Sequence, residues 1–114
     1  MPYLKIQTNT PPTPKAQQEL LKTLSRAVAK HLGKPESYVM VALEPPIPML
    51  FGGEAAPLAY LELKSVGLPQ AKTAELSKAL CELVERELGV PQDRVYIEFA
   101  NASGAMWGWN GGTF

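Results

Sequence analysis

The chain carries one structural plan twice. Residues 18–33, QELLKTLSRAVAKHLG, lie over residues 74–89, AELSKALCELVERELG, at a constant offset. The match runs on from LGKPESYVMVAL to LGVPQDRVYIEF. Upstream, Tyr3-Leu4-Lys5-Ile6 meets Tyr60-Leu61-Glu62-Leu63, one residue out of step through an indel in the intervening loop. Two copies of so long a period are too few for a solenoid, whose stacked units need several neighbours to bury a core. They predict two pseudo-symmetric halves, roughly residues 1–57 and 58–114, of a single domain.

Each half reads strand, helix, strand. Leu4 and Ile6, like Leu61 and Leu63, alternate with polar neighbours as half-buried strands do. Leu20, Leu21, Leu24, Val28 and Leu32 form one apolar helical stripe, and Leu76, Leu80, Leu83, Val84 and Leu88 form the second. Thr13 is placed to cap the first helix, with Pro14 at its first turn. Gly33 and Gly89 stop the two helices in the left-handed conformation, and Pro35 and Pro91 block continuation. Strands follow over residues 38–43 and 94–99. The expected class is α/β: two βαβ units forming a four-stranded mixed sheet with two helices on one face. The other sheet face is expected to be apolar too, and to be covered most simply by neighbouring subunits.

Charge and cysteine content narrow the function classes. Eleven basic residues balance eleven acidic ones with no basic cluster, which argues against nucleic acid or an anionic membrane as partner. No apolar run approaches the roughly 20 residues of a membrane span. The segment MPYLKIQTNTPP lacks the basic-then-apolar layout of a secretory signal. Cys81 is the only cysteine, so neither an internal disulfide nor a CxxC pair is available, and a cytoplasmic setting is expected.

The residue with the most chemistry is Pro2. Once Met1 is removed, Pro2 has a free secondary amine, a group whose ordinary pKa of about 8 falls further on burial. Such an amine is a neutral general base near physiological pH without any help from His, Asp or Glu. Lys34 follows the first helix, where a cation suits the helix dipole, yet Val90 fills the same slot in the second repeat. The alternative reading of Lys34 is a carboxylate anchor. His31 has no partner at metal-ligand spacing and reads as a solvated helix residue. Cys81 reads as a small core hydrophobe, and Phe51-Gly52-Gly53 as a tight turn rather than a phosphate loop. Neither a metal nor a cofactor is expected. The tail holds Trp107, Trp109 and Phe114 around an Asn110-Gly111 turn signal. Aromatics so dense at a terminus need burial in the fold, in a subunit contact or around a ligand.

Taken in order, these blocks resemble the macrophage migration inhibitory factor family of the tautomerase superfamily. The match starts with Met1-Pro2, Thr8-Asn9 and Gly33-Lys34-Pro35 with Tyr38, then takes in Phe51-Gly52-Gly53 and Ser65-Val66-Gly67. It continues through Ser77-Lys78, Leu80-Cys81, Asp93-Arg94-Val95-Tyr96-Ile97, Gly108-Trp109-Asn110 and Thr113-Phe114. The resemblance implies a homotrimer whose sheets wrap a central channel, with active sites between subunits. It implies an isomerase that interconverts keto and enol forms of small aromatic α-keto acids such as phenylpyruvate. On that reading Pro2 is the catalytic base, and Lys34 with the backbone N–H around Val66 holds the substrate carboxylate. Tyr96 from the next subunit lines the pocket, and Tyr38, Trp109 and Phe114 form an aromatic wall.

The departures carry their own expectations. Glu98 stands where the family has an asparagine, so an ionised carboxylate there would repel an anionic substrate and raise the pKa of Pro2. Trp107 replaces a smaller aliphatic residue and narrows the pocket mouth, while Val66 replaces isoleucine. Other classes stay open: a signalling protein with a protein receptor and vestigial tautomerase activity, or a hydratase or dehalogenase using the same proline on unsaturated acids. A ligand-binding module sharing only the fold is the blandest.

Overall fold

In the computed structural model, which describes residues 1–114, the alternation in the two leading strands sets the layers. Strand β1 (Tyr3–Thr8) and strand β3 (Ala59–Val66) each bury every second residue. Helix α1 (Pro14–Leu32) and helix α2 (Thr73–Leu88) lie on the buried side. Leu20, Leu24, Val28, Leu76, Leu80 and Val84 pack on Leu4, Ile6, Leu61 and Leu63. Each of these side chains is essentially inaccessible, and each contributes about 1.5–3 kcal/mol by leaving water. Strand β2 (Met40–Leu43) and strand β4 (Val95–Ala102) complete a sheet of order β2-β1-β3-β4. The β1–β2 and β3–β4 pairs are parallel, and the central β1–β3 pair is antiparallel, so the sheet is mixed. A short hairpin, β5 (Gly108–Trp109) and β6 (Gly112–Thr113), ends the chain.

The helix boundaries follow their local chemistry. The Thr13 hydroxyl accepts from the Ala16 N–H at 3.2 Å, with Pro14 opening the helix. Gly33 has φ 63°, and the Gly33 and Lys34 N–H groups return to the Lys30 and Ala29 carbonyls at 3.3 and 3.0 Å. That paired closure fixes the backbone direction at Lys34. Gly89 also ends α2 in the left-handed conformation, at φ 71°, but with a single bond from its N–H to the Glu85 carbonyl, and no side chain caps the start of α2.

Four expectations need correction. The helix-free face of the sheet is polar rather than apolar: Lys5 lies 3.7 Å from both Glu44 and Glu62, and Lys64 lies 3.6 Å from Glu62. Gln7 donates to Glu44 at 2.9 Å. The cause is the antiparallel register, which sets Lys5 against Glu62, so opposite charges satisfy one another across the strands. His31 is bound rather than solvated, its Nδ1 being 2.9 Å from Glu75 of α2, because packing brings the helices side by side. Tyr38 and Arg94 do not begin strands; each closes a 3₁₀ turn, Glu36–Tyr38 and Gln92–Arg94, set by the preceding proline. β4 in turn runs on to Ala102 because it pairs with β3 along its whole length. Cys81 is buried in the core, and Phe51 bridges Glu54 around Gly52 and Gly53, both at positive φ.

Candidate active site

The N-terminus is held where β1, the turn before β2 and the tail converge. The Met40 N–H donates to the Pro2 carbonyl at 3.0 Å, extending the parallel pairing back over the buried Pro2. The N-terminal amine donates to the Tyr38 carbonyl at 3.1 Å. The tail is folded onto this point by its own hydrogen bonds. Trp107 N–H reaches the Gly104 carbonyl at 3.2 Å, and Phe114 N–H is shared between the Gly104 and Trp107 carbonyls at 3.1 and 3.2 Å. A Cβ on Gly104 would overlap the Phe114 carbonyl, so glycine is required there. Asn110 at φ 50° and Gly111 at φ 78° form the tight hairpin turn that their dipeptide predicts.

This folding gathers the aromatics. Tyr38 meets Trp109 edge-on at 5.6 Å and Phe114 at 6.0 Å, while Trp109 stacks on Phe114 at 5.6 Å. With Trp107 they wall a cavity of about 440 Å³ that Pro2 also lines. Its surface is mostly apolar, the environment that disfavours a cation. Burial first, and the positive charge of Lys34 second, push the N-terminal amine below its ordinary pKa. That amine belongs to Met1 here, and the Pro2 nitrogen is still a peptide nitrogen.

Lys34 does not line this cavity. Its ammonium donates to the Val66 carbonyl at 2.9 Å, tying the end of α1 to the end of β3. Tyr96 and Glu98 are not brought to this cavity within one chain. Both lie on β4, two strands from β1, and Tyr96 is level with Gln7 at the opposite end of the sheet from Pro2. Tyr96 is 65% exposed and packs on Phe51 at 4.7 Å between ring centres. Glu98 accepts from the Tyr60 hydroxyl at 3.3 Å. That phenol is held above its ordinary pKa, first by burial and then by Glu98 and Glu62.

Besides Met1, five cavity residues are not among the expected site residues: Tyr3, Ser37, Val39, Met40 and Gly108. Strand parity alone turns Tyr3 to the helix-free face opposite Leu4, a signal that was available. Met40 joins it only because the parallel register pairs Tyr3 with Met40, which no local pattern reveals. No group of three or more His, Cys, Asp or Glu side chains is close enough to hold a metal ion, and no helix is long and apolar enough to cross a membrane.

Known proteins share this sequence pattern and fold. The profile of the macrophage migration inhibitory factor (MIF) family matches residues 1–114. A macrophage migration inhibitory factor homolog of Brugia malayi is 40% identical over 116 residues, spanning 100% of this chain and 99% of its own. The Xenopus laevis factor is 36% identical over 117 residues, with the same coverage. The crystal structure of a homologue from Prochlorococcus marinus superposes with a TM-score of 0.92 at 43% identity, covering 98% of each chain. The Toxoplasma gondii factor gives 0.93 at 38% identity, over 98% of this chain and 99% of its own. Sequence and fold therefore agree over the whole length, and the chain belongs to the macrophage migration inhibitory factor family of the tautomerase superfamily.

Proposed function

We propose that the protein is a keto–enol tautomerase of small aromatic α-keto acids such as phenylpyruvate, with Pro2 as general base after removal of Met1. One observation carries this reading: Pro2 lines an apolar, aromatic cavity, at a place where burial and Lys34 already push the adjoining Met1 amine below its ordinary pKa. A base near neutrality is what abstraction of a proton beside a carbonyl requires. The Pro2 nitrogen takes that proton, the C–H pair becomes the C=C bond, and the carbonyl oxygen gains the negative charge. Lys34 attracts the anionic substrate and stabilises that developing charge. The flat walls formed by Tyr38, Trp109 and Phe114 accept an aromatic ring, and Trp107 closes one side of the mouth.

Tyr96 and Glu98 enter this site only from another subunit, so the proposal includes a homotrimer with shared active sites. A strand-edge tyrosine left 65% exposed is consistent with cover by a second copy. The decisive experiment is phenylpyruvate tautomerisation by protein whose N-terminus has been verified by mass spectrometry, beside Pro2→Ala. Activity in the processed wild type that is largely lost in the variant supports Pro2 as base. Absence of activity in correctly processed wild type rejects the assignment.

A further inference from the structure

Tyr3 and Tyr60 are counterparts in the two repeats, one on each central strand, and both face away from the helices. Their hydroxyls have different surroundings. That of Tyr60 lies 3.3 Å from Glu62 and 3.3 Å from Glu98, and is committed to these carboxylates. The hydroxyl of Tyr3 takes no part in the polar network of this face, which links Gln7, Glu44, Lys5 and Glu62 to Tyr60 and Glu98. Its ring is equally outside the Tyr38–Trp109–Phe114 cluster. Tyr3 instead lines the cavity, one residue from Pro2 and paired in register with Met40 on the same wall. Its other strand partner is Lys64, so the nearest charge across that pair is positive.

The remaining hydroxyls on this wall are less suited to the reacting atoms. Tyr38 is held edge-on by two aromatic neighbours, and Ser37 lies on an exposed turn. Glu98 lies outside this wall, and an ionised carboxylate supplies an acceptor and no donor. The reaction nevertheless places negative charge on a carbonyl oxygen within reach of Pro2, and that oxygen needs an O–H or N–H donor in a water-poor site.

We infer that Tyr3 is a catalytic hydrogen-bond donor, whose phenol binds the enolate oxygen formed when Pro2 abstracts the neighbouring carbon-bound proton. This rests on the tautomerase reading above. The balance is simple: the proton leaves carbon for the Pro2 nitrogen, the enolate oxygen accepts a hydrogen bond from Tyr3, and the enolate is then protonated from solvent. Protonated Pro2 returns its proton to solvent, and Tyr3 ends the cycle unchanged.

Tyr3→Phe removes the donor and keeps the ring. In processed wild-type protein and this variant, steady-state phenylpyruvate kinetics should show kcat reduced about a hundredfold, the lower end of losses for an oxyanion donor. KM should stay within about threefold, and the melting temperature should be unchanged. Fluorotyrosine at position 3 retains the O–H and should hold kcat within about threefold of wild type, the readout that a packing role would not reproduce. Equal kcat in wild type and Tyr3→Phe overturns this inference alone, as does a change confined to KM. Failure of the fluorotyrosine protein to retain kcat also overturns it. Wild-type protein without tautomerase activity overturns this inference and the tautomerase reading together, so the two failures are distinguishable.

Discussion

The first and second repeats share a backbone plan and differ at the ends of their helices and strands. After α1 the chain places Lys34, whose ammonium spans to Val66; after α2 the same slot holds Val90, which is wholly buried. Tyr38 in the first repeat corresponds to Arg94 in the second. Around Tyr38 the tail aromatics leave a cavity open. Around Arg94 the loop before β3 is drawn shut: its guanidinium donates to the carbonyls of Pro57, Glu54, Ala56 and Phe51 at 3.0–3.3 Å and lies over the Phe51 ring. Symmetry supplies the scaffold, and its departures decide which half holds the candidate site. At the Arg94 position a loop is clamped, and at the Tyr38 position the aromatics border the candidate cavity.

That contrast can be broken most strongly at Pro2, which has no counterpart amine in the second repeat. Pro2→Ala should reduce tautomerase activity by about a hundredfold or more, the usual scale for loss of a general base, while the chemical denaturation midpoint stays put. Arg94→Ala should do the opposite. Loss of four charge-assisted hydrogen bonds, partly replaced by water, should destabilise by about 2 kcal/mol in urea unfolding, with the Tyr38 cavity unaffected. A stability loss below about 0.5 kcal/mol would show that the loop does not need its clamp.

Lys34→Val makes the first repeat resemble the second. It should raise KM for phenylpyruvate about tenfold, which is about 1.4 kcal/mol, through lost attraction for the carboxylate. The sign on the pH profile follows from charge: Lys34 disfavours the protonated Met1 amine, and with Pro2 as the terminus, removing the same charge should raise the Pro2 amine pKa. The rising limb of kcat/KM should therefore move to higher pH, and a limb that stays in place would separate Lys34 from the base. The smallest effect is expected at Thr13. It caps α1, while α2 starts without a side-chain cap, so Thr13→Ala should cost about 1 kcal/mol and erase that asymmetry. Equilibrium unfolding reads it directly.

Much of the fold is legible because its signals are local. The leucine stripes, the Thr13 and Gly33 stops, and the Asn110-Gly111 turn each lie within a few residues of what they specify. The polarity of the helix-free face was misread because Lys5 and Glu62 are 57 residues apart in their chain positions and meet only through the β1–β3 register. His31 was misread for the same reason, its partner Glu75 lying on the other helix. At the candidate site, Pro2, Lys34, Trp109 and Phe114 stand out by type. Met40 does not, since a methionine on a short apolar strand has no distinguishing local feature.

By itself, then, the sequence determined the repeat, the two helices with their ends, the alternation of the central strands and the closing hairpin. Each of these follows from backbone preference and side-chain periodicity over one or two turns. Tertiary structure alone decided that the tail returns to Tyr38, that Tyr3 and Met40 share a wall with Pro2, and that the Lys34 ammonium ends on the Val66 carbonyl. These are contacts between distant segments. Their geometry depends on strand register and on how two helices settle on a sheet, which no short window of residues contains.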